Sequence, residues 1–179
     1  MKILNRYEMT GIGASIVIVA LALGIARFSS FTRSETSAIP SAADVVMVDA
    51  SAENKEAALR DAITDASDRD GRVTKLVIYD ASVGGGRAVK IGDTATVHYI
   101  GLIKDGPQFD NSYTKETPLS FKVGAGEIIE GWERGIIGMK EGGKRILVVP
   151  ASMGYGNDIV DPIPANATLI FSIELLLIE

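Results

Sequence analysis

The residue types best suited to enzyme chemistry are scarce in this sequence. It contains no cysteine and a single histidine, His98, which excludes thiolate catalysis, disulfides, zinc–thiolate sites and sites built from several histidines. The only tryptophan, Trp132, lies in IIEGWERGIIGMKEG (residues 128–142), between paired isoleucines and spaced glycines. No histidine, cysteine or serine accompanies it there. A site around this ring would have to work without a nucleophile, and we expect no cofactor and no metal.

Charge is unevenly distributed along the 179 residues, whose net charge is −5. Residues 1–34 carry four basic and one acidic side chains, residues 35–71 carry three and nine, and residues 72–179 carry eleven and thirteen. The main body therefore has no basic stripe that could bind a phosphate backbone. We expect no nucleic-acid partner.

The N-terminus contains the clearest targeting signal. Residues 9–26, MTGIGASIVIVALALGIA, are uncharged, and as a helix they would extend about 27 Å, close to the thickness of a bilayer's hydrocarbon core. Lys2 and Arg6 precede this run, as expected for an orienting segment. We interpret residues 1–28 as a transmembrane anchor or signal segment, so that the chain would contact the membrane through residues 9–26.

Three interpretations of this apolar run remain open. An uncleaved anchor would make a single-pass membrane protein whose remaining chain is extracytoplasmic. A cleaved signal peptide would give a secreted or periplasmic protein, and the small residues Gly24 and Ala26 suit a cleavage site. A buried core helix is the third interpretation. Arg27 and Arg33, which follow the run, weaken the charge asymmetry that favours the anchor.

Residues 29–71 are interpreted as an acidic linker with a possible short helix. Ser51 could cap that helix, whose apolar side chains fall on one narrow face: Leu59, Ala62, Ile63 and Ala66. A small dimerisation helix would fit this pattern. A solvated spacer helix that packs loosely or not at all fits it better, because the stripe is narrow.

From residue 72 onward the apolar pattern alternates with a period of two, which predicts strands. The predicted strands are KLVIY (75–79), TATVHYIGLI (94–103), LSFKV (119–123), KRILVVP (144–150) and TLIFSIELLLIE (168–179). Glycine-rich turns such as SVGGGR separate them. One helix, residues 129–138, accompanies them. The pattern predicts an α+β domain over residues 72–179, with an antiparallel sheet curled over a single short helix.

Gly131 and Gly135 locate the tryptophan within this arrangement. Because they stand four residues apart, one side of the helix lacks side chains and its backbone can approach a neighbour closely. Trp132 then projects toward the concave side of the sheet. The ring could be the largest filler of the core or the floor of an open apolar pocket, and spacing alone favours the core.

Several segments together resemble the FKBP-type peptidyl-prolyl isomerases, the immunophilins that bind macrolides. They are VHYIGLIKDGPQFDNS, FKVGAGEIIEGWERGIIGMKEGGKRILVVP, GYG and IPANATLIFSIELLLIE, in order over about 100 residues. The resemblance implies a five- to six-stranded antiparallel sheet wrapped around one short helix. It implies catalytic roles for Tyr99, Phe109, Asp110, Ile129, Trp132, Tyr155 and Phe171. It implies substrate-binding roles for Leu119, Ile128 and Ile163.

The implied activity is the cis–trans isomerisation of Xaa-Pro bonds during the folding of exported proteins. Under this resemblance Trp132 lies beneath the proline ring, the Ile129 N–H and the Tyr155 hydroxyl bind substrate carbonyls, and Asp110 faces the twisting amide. The implied partners are proline-containing polypeptides and macrolide inhibitors. The alternative is a non-catalytic, membrane-tethered chaperone or peptide-binding module with the same fold.

Some positions depart from the family pattern or have simpler interpretations. Leu119 and Lys115 stand where the family often has phenylalanine and arginine, and Pro162 stands where it often has isoleucine. These departures bear on the breadth of the pocket and on macrolide binding. Asp110 could also serve only to anchor the turn after Phe109. His98 falls on the strand face opposite the pocket and is interpreted as a hydrogen-bonded structural residue.

Overall fold

The computed structural model of the chain describes residues 42–48 and 54–179. Its strands are β1 (Val45–Val48), β2 (Leu76–Ser82), β3 (Thr94–Ile103), β4 (Gln108–Asn111), β5 (Leu119–Lys122), β6 (Lys144–Val149) and β7 (Leu169–Ile178). Its α-helices are α1 (Lys55–Asp65) and α2 (Glu130–Gly135). Two 3₁₀ turns, Ala42–Asp44 and Ala151–Met153, complete these elements.

The strands form one seven-stranded mixed sheet, in the order β1-β2-β6-β7-β3-β4, with β5 pairing the N-terminal part of β3. The prediction of a five- to six-stranded antiparallel sheet was therefore wrong in strand number and in one pairing, because β1 runs parallel to β2. The sequence of β1, VVMV, is a short apolar run inside the predicted linker. The β4 sequence, QFDN, is too short to show alternation.

Alternation along the strands divides the side chains between the two faces of the sheet. On the concave face, Leu76, Leu147, Phe171 and Ile173 join Trp132 of α2 in the main core. The helix is shorter than the predicted 129–138, but its position against this face is as expected from the pattern. A short helix over a strongly curved sheet thus leaves the ends of several strands around one concave site.

The glycine-rich segment at residues 82–87, predicted as a turn between strands, does not close a hairpin. The preceding strand β2 pairs with β1 and β6, whereas the following strand β3 pairs with β4, β5 and β7. The segment instead lies against residues 140–143. A Cβ on Gly84 would lie 2.0 Å from the Glu141 carbonyl oxygen, so this close backbone contact requires glycine.

Helix α1 packs on the convex face of the sheet. The Asn54 side chain caps it by accepting a hydrogen bond from the Ala57 N–H at 3.1 Å, and the proposed cap Ser51 lies outside the described residues. A second core joins the helix to the sheet, and it consists of Val48, Leu59, Ala62, Ala66, Val73, Val77, Tyr79, Ile146 and Val148. The expectation of a loosely packed spacer helix was wrong, because the convex face offers these complementary apolar side chains.

Within residues 42–48 and 54–179, no helix is long and apolar enough to cross a membrane. The predicted anchor or signal segment at residues 9–26 lies outside that part of the chain.

Truncating Leu59 should reveal how far α1 supports the sheet. Leu59 is 8% exposed in the convex-face core, so Leu59→Ala should lower the free energy of unfolding by about 2–4 kcal/mol through lost burial and a residual cavity. Its neighbour Arg60 is exposed, and Arg60→Ala should change the stability by less than about 0.5 kcal/mol. Urea unfolding followed by Trp132 fluorescence measures both. Equal, small effects would mean that α1 does not stabilise the fold.

Candidate active site

The geometry of the site begins with the close approach of α2 to β6. A Cβ on Gly131 would lie 2.4 Å from Val149 Cγ1, and a Cβ on Gly135 would lie 2.6 Å from Leu147 Cδ1. Both distances are too short for real Cβ contacts, so a side chain at either position would force Val149 or Leu147 to move. The prediction that the two glycines permit a close backbone approach is confirmed.

This approach places the Trp132 indole among three other aromatic rings. Its centroid lies 5.1 Å from that of Tyr99, 5.2 Å from that of Phe171 and 5.8 Å from that of Phe121, all edge to face. Such arrangements are the ones that aromatic pairs prefer. The ring is only 3% exposed, yet it also forms part of a cavity wall. Trp132 therefore fills the core and also forms the floor of the pocket, so the two interpretations do not exclude each other.

The pocket is an open concavity of about 380 Å³, its mouth included. It is lined by Tyr99, Phe109, Asp110, Leu119, Ile128, Ile129, Trp132, Tyr155 and Phe171. These are nine of the ten residues that the resemblance implied. The tenth, Ile163, does not line the cavity: it is 1% exposed, belongs to the main core, and pairs through its backbone with Val160. Its substitution would reach the pocket only through packing.

Asp110 and Tyr99 form a fixed polar pair in this otherwise apolar wall. The Tyr99 hydroxyl donates to Asp110 Oδ2 at 2.6 Å. Burial, followed by this hydrogen bond and the negative charge of the carboxylate, raises the pKa of the Tyr99 hydroxyl far above its usual value. Tyr99 thus remains a donor at neutral pH, and its hydroxyl is already committed to Asp110.

The carboxylate of Asp110 is held from its other side as well. Its Oδ1 accepts from the Asn111 N–H at 2.6 Å and pairs with Lys115 Nζ at 2.5 Å. Asp110 therefore anchors the local backbone, as the simpler interpretation supposed, and lines the pocket at the same time. Lys115, noted from the sequence only as a departure from the family pattern, is one of the groups that hold it.

Two hydrogen-bond donors at the pocket have no partner among the described residues, namely the Ile129 backbone N–H and the Tyr155 hydroxyl. Burial, with a smaller effect of the Asp110 charge, raises the pKa of Tyr155, so its hydroxyl also keeps its proton. A third donor, the buried Trp132 Nε1–H, has no oxygen or nitrogen partner in the same part of the chain. The first two are placed to bind carbonyl oxygens of a ligand.

Arg145 positions the other end of α2 and was not recognised from the sequence. Its Nη1 donates to the carbonyl oxygens of Gly135 at 2.7 Å and Ile137 at 3.1 Å, while Nε and Nη2 bind the Asp80 carboxylate at 2.7 and 2.9 Å. The residue is 4% exposed. Alternation in KRILVV places it on the same face as Leu147, and a charge at a core-facing position requires a partner. That requirement was the signal available in the sequence.

Elsewhere in residues 42–48 and 54–179, no group of three or more His, Asp or Glu side chains could hold a metal ion. His98 lies away from the pocket face, within hydrogen-bonding distance of Ser112 and stacked on Tyr113. Its interpretation as a hydrogen-bonded residue outside the site is confirmed.

Comparison with known proteins assigns this arrangement to a family. Residues 85–176 match the family model of the FKBP-type peptidyl-prolyl cis-trans isomerases. The chain belongs to this family. It is 46% identical over 102 residues to an FK506-binding protein of Neisseria meningitidis serogroup B, which covers 56% of this chain and 94% of that protein. It is 49% identical over 107 residues to FK506-binding protein 4 of Gibberella zeae, which covers 60% of this chain.

A crystal structure of FkpA from Escherichia coli is similar to the FKBP-type fold of this chain, with a TM-score of 0.55 and 44% sequence identity. The similarity covers 59% of this chain and 49% of that one. The chain spans only 21% of the Gibberella FK506-binding protein 4. The shared unit is thus the isomerase domain, and the relatives differ in what surrounds it.

Replacing Gly131 should disturb the floor of the pocket. The new methyl group of Gly131→Ala would overlap the Val149 side chain, so we expect a loss of about 1–3 kcal/mol in the free energy of unfolding and a changed environment of Trp132. Gly85→Ala is the matched control, because no atom lies within 4 Å of the added Cβ. Urea unfolding and the emission maximum of the single tryptophan measure both effects. A Gly131→Ala protein as stable as the control would disprove the close approach.

Proposed function

We propose that this chain is a peptidyl-prolyl cis–trans isomerase, tethered to a membrane and acting outside the cytoplasm on the folding of exported proteins. The observation that carries the catalytic part is the convergence of nine family-type residues on one open apolar pocket with a tryptophan floor. The pocket offers free hydrogen-bond donors for carbonyl groups and needs no nucleophile.

Prolyl isomerisation suits such a pocket because no covalent bond is broken. Rotation about the amide C–N bond is opposed by a resonance barrier of about 18–20 kcal/mol. The twisted transition state loses resonance and with it part of its charge separation, so an apolar pocket disfavours it less than the planar ground state. Each decrease of about 1.4 kcal/mol in the barrier gives a tenfold faster rate.

Each part of the pocket has a role in this scheme. The proline ring lies on the Trp132 indole, enclosed by the apolar walls. The Ile129 N–H and the Tyr155 hydroxyl bind carbonyls on either side of the rotating Xaa-Pro bond. These contacts hold the flanking peptide in place. The Asp110 carboxylate, fixed by Tyr99 and Lys115, faces the amide and contributes a fixed negative potential.

The proposed ligands are proline-containing polypeptides and, at the same site, macrolides. Several relatives are named as FK506-binding proteins, which supports the macrolide proposal. Leu119 lines the pocket where the family often has phenylalanine. The side chain that forms this wall is therefore smaller and not aromatic. We therefore expect macrolides to bind less tightly than they would to a pocket with an aromatic residue at this position.

The tether is proposed from the sequence of residues 9–26, which is uncharged and long enough to cross a hydrocarbon core. An isomerase held at the outer surface of a membrane would meet exported chains while their Xaa-Pro bonds still exchange slowly. A cleaved signal peptide would leave the catalytic proposal unchanged and release the domain.

A protease-free exchange measurement tests the catalytic proposal. Exchange between the cis and trans forms of a capped Xaa-Pro peptide is followed by NMR, with and without the chain. Faster exchange supports the isomerase. Peptide binding without faster exchange would instead identify a non-catalytic chaperone or peptide-binding module.

Tyr155→Phe tests the proposed carbonyl contact. The substitution keeps the ring and removes only the hydroxyl, a hydrogen bond of about 1 kcal/mol, so kcat/KM should fall several-fold while stability changes little. Leu119→Phe is the companion variant: it should tighten macrolide binding with little change in turnover of small peptides. Unchanged turnover in Tyr155→Phe, with turnover abolished in Leu119→Phe, would show that the carbonyl is held elsewhere.

The tether is tested by fractionation and protease accessibility. The full chain should sediment with membranes, and residues from 35 onward should be digested when protease is added to the outer side. A soluble mature chain beginning near residue 27 would indicate a cleaved signal peptide instead. Protection of the domain from external protease would contradict an extracytoplasmic location.

A further inference from the structure

The Ser112 hydroxyl lies at a junction between the pocket and the opposite face of the sheet. Ser112 is 1% exposed, and its Oγ lies 2.7 Å from the Tyr99 nitrogen, 3.2 Å from the Tyr99 carbonyl oxygen and 2.9 Å from His98 Nδ1. Ser112 directly follows β4, and its hydroxyl extends the pairing of that strand with β3. Three groups therefore lie within hydrogen-bonding distance of one hydroxyl.

The hydrogen-bonding capacity of a hydroxyl limits how these three groups can be satisfied. A serine hydroxyl has one proton to donate and two lone pairs with which to accept. One lone pair accepts from the Tyr99 N–H, a buried backbone donor that needs a partner. The single proton can then go to His98 Nδ1 or to the Tyr99 carbonyl, but not to both.

We propose that His98 is a positioning residue, which acts through Ser112 to set the conformation of Tyr99 in the pocket; the proposal rests on the isomerase function above. When Nδ1 is unprotonated, it accepts the Ser112 proton, and the Tyr99 carbonyl keeps only the Ser112 N–H at 3.1 Å. When the ring is protonated, Nδ1–H donates to Ser112, whose hydroxyl turns to the Tyr99 carbonyl. Protonation of Nδ1 thus adds a hydrogen bond at Tyr99.

Tyr99 transmits this change to the site directly. Its hydroxyl donates to Asp110 and its ring packs edge to face on Trp132. Asp110 precedes Ser112 by two residues on the same segment, so Tyr99 is tied to that segment at both its backbone and its hydroxyl. Holding the Tyr99 backbone more firmly also holds the carboxylate that faces the substrate. The protonated state should therefore be the more active one.

An aromatic ring and two charged side chains surround His98. The ring stacks on Tyr113, with centroids 4.4 Å apart and planes 20° apart. Glu174 of β7 faces it across the strand pair and accepts from the Tyr113 hydroxyl at 2.6 Å. Lys144 of β6 lies 3.4 Å from the same Glu174 oxygen.

The experiment uses the full chain in detergent and a capped Xaa-Pro peptide with no titratable group. Because the chain has one histidine, the NMR signal of its Cε1–H reports the protonation of His98 alone. Between pH 8 and pH 5.5, the range in which histidines commonly titrate, kcat/KM should rise about twofold to fivefold, as expected for one neutral hydrogen bond. The midpoint should match that of the histidine signal.

Two variants separate positioning from other effects. His98→Asn removes the titration, and its kcat/KM should not vary over this pH range. In Ser112→Ala the histidine should still titrate while kcat/KM no longer follows it; a profile that still follows it would overturn the role of Ser112.

If Ser112→Ala does not fold, the wild-type profile decides: activity that stays constant or falls while His98 becomes protonated overturns the proposal. Absence of catalysis at every pH would refute the isomerase function itself.

Discussion

The pocket depends on one steric constraint, the contact between the backbone of α2 and the side chains of β6. Gly131 and Gly135 face Val149 and Leu147, and a methyl group at either glycine would occupy the same space as those side chains. Because the helix can lie this close to the sheet, its tryptophan reaches the rings of Tyr99 and Phe171 and forms the floor of the pocket. With a larger separation the indole would stand above the sheet, and the concavity would close or lose its base.

A helix of six residues does not hold this position by itself, since short helices are unstable without tertiary contacts. Arg145 supplies the missing partner for its C-terminal carbonyls and is itself neutralised by Asp80 of β2. A charge as deeply buried as this is costly unless it is paired and fully hydrogen-bonded. The same strand, β2, is covered on its other face by α1. The elements that precede the family domain therefore support the strand to which the pocket helix is tied.

These dependencies explain which features could be predicted from the sequence. Local patterns were sufficient where alternation or glycine spacing follows directly from packing. The strand Thr94–Ile103 has the predicted bounds, and the paired glycines indicate the close approach of α2 to the sheet. The roles of Tyr155 and Asp110 came from the resemblance, since no local pattern distinguishes a pocket tyrosine from any other. The parallel strand β1 could not be predicted, because four apolar residues acquire strand structure only by pairing with β2.

The misplacement of Ile163 has a similar origin. Ile163 lies in the loop between the second 3₁₀ turn and β7, where the backbone path can change while the residue type is kept. Ile163 is buried in the core and does not line the cavity, whereas Leu119, on a regular strand, lines it as implied. Residues carried by strands and helices keep their orientation because hydrogen-bonded pairing fixes their register. Residues in loops lack that restraint.

The polar groups of the pocket fall into two sets with different tasks. Tyr99 and Asp110 are engaged with each other and with Lys115, while the Ile129 N–H and the Tyr155 hydroxyl make no hydrogen bond within the described part of the chain. A catalyst that breaks no bond can act only through the potential and the shape that it presents to a rotating amide. In the mechanism proposed above, the engaged pair keeps that potential fixed, and the free donors leave hydrogen bonds for the substrate. The proposed mechanism therefore assigns a fixed potential to one set and substrate binding to the other, and it requires no nucleophile.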